Sequence, residues 1–179
     1  MPLLRKEPEA VPDDLFELRE PWRIAHVRSR QEKVLARHLL RAGVAFYAPQ
    51  IERSKTRDGR RFVSHLPLFP GYVFFRGDAA ARQTALRSNV IAAIIDVLDQ
   101  PLLNAQLHQL RRLQLEGASL IPVDEFAAGD AVRIVDGSFA GYEGTVVRSG
   151  RGERLLVSVS LLRKSVAVEF PRGRLRRRR

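Results

Sequence analysis

At Gly117 the chain changes its periodicity, and no other feature limits the available folds as much. Before that glycine, runs with the two-residue spacing of strands alternate with runs at the three-to-four-residue spacing of helices. From residue 128 to 170 no helical period survives, and only short alternating runs remain. One packed layer pair cannot serve both patterns, so two domains of different class are expected. No stretch repeats another, which excludes a solenoid.

In the first region, WRIAHV (22–27) alternates Trp22, Ile24 and His26 on one face, as a strand would. Ser29 with Glu32 three residues on reads as a capping box, opening a helix over about 30–42 that Gly43 stops. The helix gathers Val34, Leu35, Leu39 and Ala42 on one side, with His38 among them, and Arg30, Lys33, Arg37 and Arg41 on the other. VAFYAPQ (44–50) is a second strand ended by Pro49, and the charged ERSKTRDGRR (52–61) turns at Asp58-Gly59. A third strand runs through RFVSH, through GYVFF (71–75), or through both as a hairpin. Asp78 caps a short helix at 79–87, and VIAAIIDV (90–97) reads as a buried strand. Asn104 caps a last helix that Gly117 ends, with Leu103, Leu107, Leu110 and Leu113 along one face. The order β-α-β-β-α-β with a closing helix predicts an α+β, ferredoxin-like domain over 21–117, its sheet covered by helices on one face and open on the other.

The second region follows a linker at 118–126. Val132/Ile134, Leu155/Val157/Val159 and Val166/Val168/Phe170 alternate, with glycines punctuating between them and a hairpin tip at Gly150-Arg151-Gly152. Four or five short strands of this kind predict a small all-β barrel over 127–172. Residues 1–20 hold three prolines and little periodicity, and read as a mostly disordered leader; 173–179 is a basic tail.

Charge narrows the partners. The chain carries +11, with six acidic and three basic side chains in residues 1–20 and six arginines without an acid in PRGRLRRRR (171–179). Residues 21–170 keep a net +8, so the folded part is itself basic. Such a surface fits a polyanion or an acidic protein, with mere solubility as the alternative. The absence of cysteine rules out disulfides and thiolate metal sites. No apolar run approaches the roughly 18–20 residues of a membrane span, and the first 20 residues hold no signal-like apolar stretch. A cytoplasmic monomer with no membrane contact is expected. The four histidines are scattered, and no phosphate loop, paired carboxylates or ligand cluster appears. No catalysis, cofactor or metal is therefore expected.

PLFPGYVFF (67–75) packs four aromatics and two prolines into nine residues, in a chain only 7% aromatic. A buried strand explains part of it. It does not explain Phe69 between prolines, or the Tyr72 hydroxyl. With Trp22, the Arg30-Gln31-Glu32-Lys33 helix start, Gly43-Val44 and Pro49, this stretch resembles the N-terminal domain of the NusG family of transcription elongation factors. The later run Gly129-Asp130-x-Val132-Arg133-Ile134-x-Asp136-Gly137-x-Phe139-Ala140-Gly141-x-x-Gly144-x-Val146 resembles a KOW domain, an SH3-like barrel. Ser138 stands where that turn usually has proline. PLFP and Gln83-Thr84 resemble a specialised paralogue of the RfaH kind, although only one residue of that kind's His-Thr-Thr contact matches.

The resemblance implies binding to the clamp helices of the largest RNA polymerase subunit. Phe69, Tyr72, Phe74, Gln83 and Thr84 are the candidate polymerase contacts, with ordinary core packing as the alternative for each aromatic. Arg30, Lys33, Arg37, Arg41, Arg60 and Arg61, with Arg53, Lys55 and Arg57 of the same charged loop, are candidate contacts to non-template DNA, or else a solvated face. Phe139 and Tyr142 are candidate KOW contacts to a ribosomal protein or a termination factor. RfaH-like proteins can refold the KOW domain as helices over the clamp site; the β-branched alternation at 155–170 argues against that here. An RNA-binding module is the rival reading, since β-α-β-β-α-β is also the order of an RNA-recognition motif.

Overall fold

The computed structural model describes residues 6–118, and beyond them the backbone of the strand segments 120–123, 131–134, 143–149, 152–159, 164–170 and 175–177. The chain divides into two units, 1–100 and 101–179.

The first unit contains β1 (Ala10–Val11), β2 (Trp22–Val27), α1 (Glu32–Arg41), β3 (Phe46–Tyr47), β4 (Gln50–Arg57), β5 (Arg60–Pro67), β6 (Tyr72–Arg76), α2 (Ala79–Leu86) and β7 (Ile91–Asp96). Its main sheet is antiparallel, in the order β1-β3-β6-β2-β7. The expected strand at 44–50 is broken by Pro49, so that β3 joins the main sheet and β4 leaves it. RFVSH and GYVFF then go to different sheets. RFVSH lies in β5, which pairs with β4 as a separate two-stranded ribbon, while GYVFF supplies β6. The ribbon turns at Asp58-Gly59, both with positive φ (52° and 71°), the backbone that a tight two-residue hairpin requires.

One face of the main sheet is sealed by the helices. Ala25, Val27, Val73 and Phe75 pack with Leu35, Ala36 and Leu39 of α1 and Ala85 of α2. The stripe on α1 is rotated from the expected one: Ala36 is buried while Val34 is 41% exposed. Gln31, not Ser29, stands at the start of α1, and no side chain caps it. The Glu32 carboxylate is drawn away to another partner, described below. Gly43 does stop the helix, with φ +67°, a conformation costly to any residue carrying a Cβ. Asp78 caps α2 as expected, its carboxylate accepting from the Ala81 N–H at 3.0 Å.

The other face is not open, which corrects the expectation for this sheet. The residues read as a disordered leader cover part of it. Leu15 is fully buried, and Phe16 packs against Trp22 and Tyr47 with ring centroids 5.8 and 5.5 Å apart. β1 adds a strand beside β3, and the Arg76 guanidinium donates to the Leu18 and Glu20 carbonyls. The few apolar side chains among many charges form no period, yet Phe16 anchors the segment onto aromatic rings. The strand at 90–97 also differs from its reading. β7 is an edge strand with Ala92 and Ala93 exposed, because among the described residues only β2 pairs with it.

α3 (Gln100–Leu115) begins a turn before Asn104. Gln100 makes the earlier start: its amide accepts from the Trp22 N–H and donates to the carbonyls of Trp22 and Val97. Leu103, Leu107, Leu110 and Leu113 are all buried, as their spacing predicts. In the second unit β8 (Leu120–Val123), β9 (Ala131–Ile134), β10 (Glu143–Ser149), β11 (Gly152–Val159), β12 (Lys164–Phe170) and β13 (Leu175–Arg177) form an antiparallel sheet in the order β13-β9-β10-β11-β12-β8. Residues expected as linker and tail thus contribute its end strands. Pro122 is tolerated in β8 because an end strand leaves one side of its backbone unpaired.

Candidate interaction surface on the sheet

β2 and β6 build the site by register. Trp22 lies opposite Arg76, Ile24 opposite Phe74, and His26 opposite Tyr72. These residues share one sheet face, since opposed residues in an antiparallel pair point the same way. Burial falls along the row. At one end the Arg76 guanidinium sits 4.4 Å from the centre of the Trp22 ring, with both residues buried. Desolvation lowers the Arg76 pKa from its usual value, and Glu20 opposes the shift. In the middle, Ile24 and Phe74 have no exposed surface, and Phe69 closes over Phe74 edge-on, with centroids 5.6 Å apart. At the far end His26 is exposed and Tyr72 half-exposed, their rings stacked 5.1 Å apart at 26°.

Phe69 and Phe74 are therefore core residues, which corrects their reading as surface contacts. Alternation did put Tyr72 and Phe74 on one face, but the leader and Phe69 cover only part of that face. Of the three aromatics, Tyr72 alone remains accessible.

The turn before Tyr72 is fixed from three sides. Gly71 has φ +86°, which only glycine adopts readily. Its N–H donates to Glu32 Oε1 at 2.7 Å, and its carbonyl accepts from the Val27 N–H at 2.8 Å. The Tyr72 N–H closes the turn onto the Phe69 carbonyl at 3.0 Å. Glu32 is 7% exposed, and this bond is what it does in place of capping α1. The Glu32 role and the His26 partnership were both missed in the sequence. The only signal was that His26 lies in phase with Trp22 and Ile24.

Gln83 is exposed on α2, while Thr84 is half-buried and its carbonyl accepts from His38 Nε2 at 2.8 Å. The basic face of α1 is divided. Arg30 and Arg41 are exposed. Arg37 pairs with Glu7 at 3.0 Å, and Lys33 has its pKa lowered by burial, against the pull of Glu7. The acidic leader thus neutralises the centre of the face read as a phosphate surface. A cleft beside Tyr72, rimmed by Glu7, Lys33, Gln50 and Pro67, holds about 10 Å³, room for no more than a water. Arg60 and Arg61 are exposed near the tip of the ribbon. Among the described residues no cluster of three His, Cys, Asp or Glu could hold a metal, and no helix is long and apolar enough to cross a membrane. Phe139 and Tyr142 lie outside the described residues.

Comparison with known proteins bears on the same elements. The family model described as transcription termination factor nusG matches residues 20–111, just over half of the chain. The Vibrio cholerae transcription termination/antitermination protein NusG is 31% identical over 134 residues, covering 71% of this chain and 74% of its own. The Pseudomonas aeruginosa protein of the same description is 27% identical over 165 residues, covering 83% of this chain and 93% of its own. A solved structure described as domain interaction in Thermotoga maritima NusG is 17% identical over 89% of this chain and 97% of its own, at a TM-score of 0.48. The family-model match spans β2 through most of α3, including both strands that build the His26–Tyr72 row, and with these relatives it shows that the chain belongs to the NusG family.

Proposed function

We propose that this protein is a non-enzymatic transcription termination/antitermination factor that docks on the clamp helices of RNA polymerase through the His26–Tyr72 end of its sheet. The observation that carries the reading is the accessible, stacked pair at the end of an otherwise buried row. A tyrosine held this way offers a rigid ring and a hydroxyl with few rotors left to freeze on binding. Phe69, Phe74 and Glu32 act beneath it as positioning residues. Gln83 and Thr84 belong to a second contact on α2. Family membership and the names of the relatives support the class of function.

We read the strand order as ferredoxin-like and the second unit as a KOW barrel that recruits a ribosomal protein or a termination factor. The PLFP spelling favours a specialised RfaH-like member. Arg30 and Arg41 keep the role of non-template DNA contacts on α1. A free RNA-recognition module is disfavoured, because such a sheet stacks two or three bases on exposed rings. Here Phe74 is buried, and Tyr72 is already stacked on His26.

The test is binding of the full-length protein to a purified, paused elongation complex, beside Tyr72→Ala and His26→Ala. Saturable binding that Tyr72→Ala weakens at least ten-fold is expected, in the range of about 2 kcal/mol for an interface hot spot. Equal binding by wild type and Tyr72→Ala removes the site. Tight binding to free RNA without polymerase replaces the function.

A further inference from the structure

The family-model match begins at residue 20, and the segment before it is held in two unlike ways. Its inner part is anchored. Leu15 has no exposed surface, Phe16 packs on Trp22 and Tyr47, and the Arg76 guanidinium donates to the Leu18 and Glu20 carbonyls at 2.6 and 2.7 Å. Its outer part, Glu7 to Val11, lies along β3 and beside α1 with no residue buried. The outer part is held mostly by its backbone. The Ala48 N–H donates to the Glu9 carbonyl at 2.6 Å, the Gln50 amide donates to the Glu7 carbonyl at 2.9 Å, and β1 pairs Ala10 with Tyr47 and Val11 with Phe46. Side chains add to this hold: Val11 packs half-buried at the edge of the core, and Glu7 Oε1 accepts from Arg37 Nε at 3.1 Å and lies 3.0 Å from Nη2. Pro8 and Pro12 bracket the strand, and neither has an N–H to pair, so only a short ladder forms.

We propose that the β3 edge beside α1 is a docking site for an acidic, extended segment of a partner protein, and that residues 7–11 fill it in cis as a displaceable competitor. A strand edge accepts any extended chain through its backbone, and the side chains around it choose which one. Here Arg37 and Lys33 choose, and the built-in occupant brings Glu7 and Glu9 to them. Burial lowers the Lys33 pKa, while both carboxylates pull it back up, so an acid at either position offsets the cost of burying that ammonium. The pattern selected is an acid four residues before a β-branched apolar residue, as in Glu7 and Val11. A short, unburied strand opens at the lowest cost in a fold, so residues 7–11 peel away while Leu15 and Arg76 keep the inner part seated. A nucleic acid fits less well: a phosphate accepts hydrogen bonds but donates none, whereas a strand edge offers both donors and acceptors. A second copy fits less well because the Leu15 N–H, bonded to the Pro12 carbonyl at 3.1 Å, turns the outer part back onto its own sheet. Glu7 also rims the cleft beside Tyr72, so exchange here reshapes the border of the proposed polymerase contact, but the docking site does not depend on that contact.

The test is an NMR titration of the isotope-labelled, full-length protein with a free peptide of residues 6–12, KEPEAVP, read at the Tyr47 and Ala48 amides. Wild type should bind it weakly, because the tethered competitor must leave first. Glu7→Lys sets a cation against Arg37 and Lys33, and should bind the peptide about ten-fold more tightly by raising the open fraction. In Arg37→Glu the preference should reverse, so that a peptide with lysine in place of its first glutamate, KKPEAVP, binds more tightly than KEPEAVP. Cooperative unfolding followed by Trp22 fluorescence checks that each variant is folded. The inference is overturned if Glu7→Lys binds the peptide no more tightly than wild type, if Arg37→Glu shows no reversal, or if oligo(dT) shifts the Ala48 amide at lower concentration than the peptide does. Concentration-dependent dimers of the wild type that Glu7→Lys abolishes overturn it in favour of exchange between two copies. A protein that binds the elongation complex but shows none of the peptide effects removes this inference alone. One that shows them but never binds the elongation complex removes the functional reading and leaves the docking site standing.

Discussion

Phe74 and Tyr72 sit two residues apart on the same strand and point to the same face, yet one has no exposed surface and the other is half-exposed. Nothing in their shared alternation separates them. The difference comes from what lies above. Phe69 closes edge-on over Phe74, Tyr47 lies beside it, and Phe16 of the N-terminal segment packs in turn on Tyr47, whereas Tyr72 stacks on the exposed His26. An aromatic in a motif can thus serve as the floor of a surface or as the surface itself, and only the covering segment decides.

The sharpest way to break this comparison is by stability. Trp22 is the only tryptophan and is 1% exposed, so its fluorescence reports unfolding of the row. Phe74→Ala should destabilise by about 3–5 kcal/mol, the cost of emptying a packed aromatic site. Tyr72→Ala should lose no more than about 1 kcal/mol, since its ring is half-solvated and gives up one stacking partner. Equal losses would mean that the two ends are not different environments. Leu15→Ala comes next, at about 2–4 kcal/mol, if the N-terminal segment is truly part of the core. An effect near zero in the same denaturant titration would return that segment to the status of a leader.

Glu32→Ala should cost about 1.5–3 kcal/mol by leaving the Gly71 N–H without its charged acceptor. Glu32→Gln should cost less, because an amide oxygen still accepts. For this pair amide hydrogen exchange at Gly71 is the direct readout, and slow exchange in Glu32→Ala would show that the carboxylate does not hold the turn. The smallest effect is expected for Glu7→Gln, about 0–1 kcal/mol, since its partner Arg37 is half in water. Its value lies elsewhere: freeing Arg37 and Lys33 should raise nonspecific DNA affinity, measured by salt-dependent binding, if the acidic segment screens that helix face.

Much of the fold was legible. Trp22–Val27, the two helices, the Asp78 cap, the Gly43 stop and the four leucines of α3 are local signals: periodicity, a carboxylate at a helix start, a residue without a Cβ. Each concerns groups within a few residues of one another, and the sequence by itself determined them. It also determined the charge of the ribbon and the apolar weight of PLFPGYVFF. What the tertiary structure decided was pairing. Glu32 is close enough in sequence to Ser29 to cap α1, but a backbone N–H 39 residues away, at Gly71, is a better-placed donor. Leu15 and Phe16 look too sparse to fold until Trp22, Tyr47 and the carbonyl-binding Arg76 are brought under them. His26 becomes a partner for Tyr72 only when strand register is set. Register turns on which residue stands across from which, and so on hydrogen bonds between segments whose separation along the chain no local pattern records.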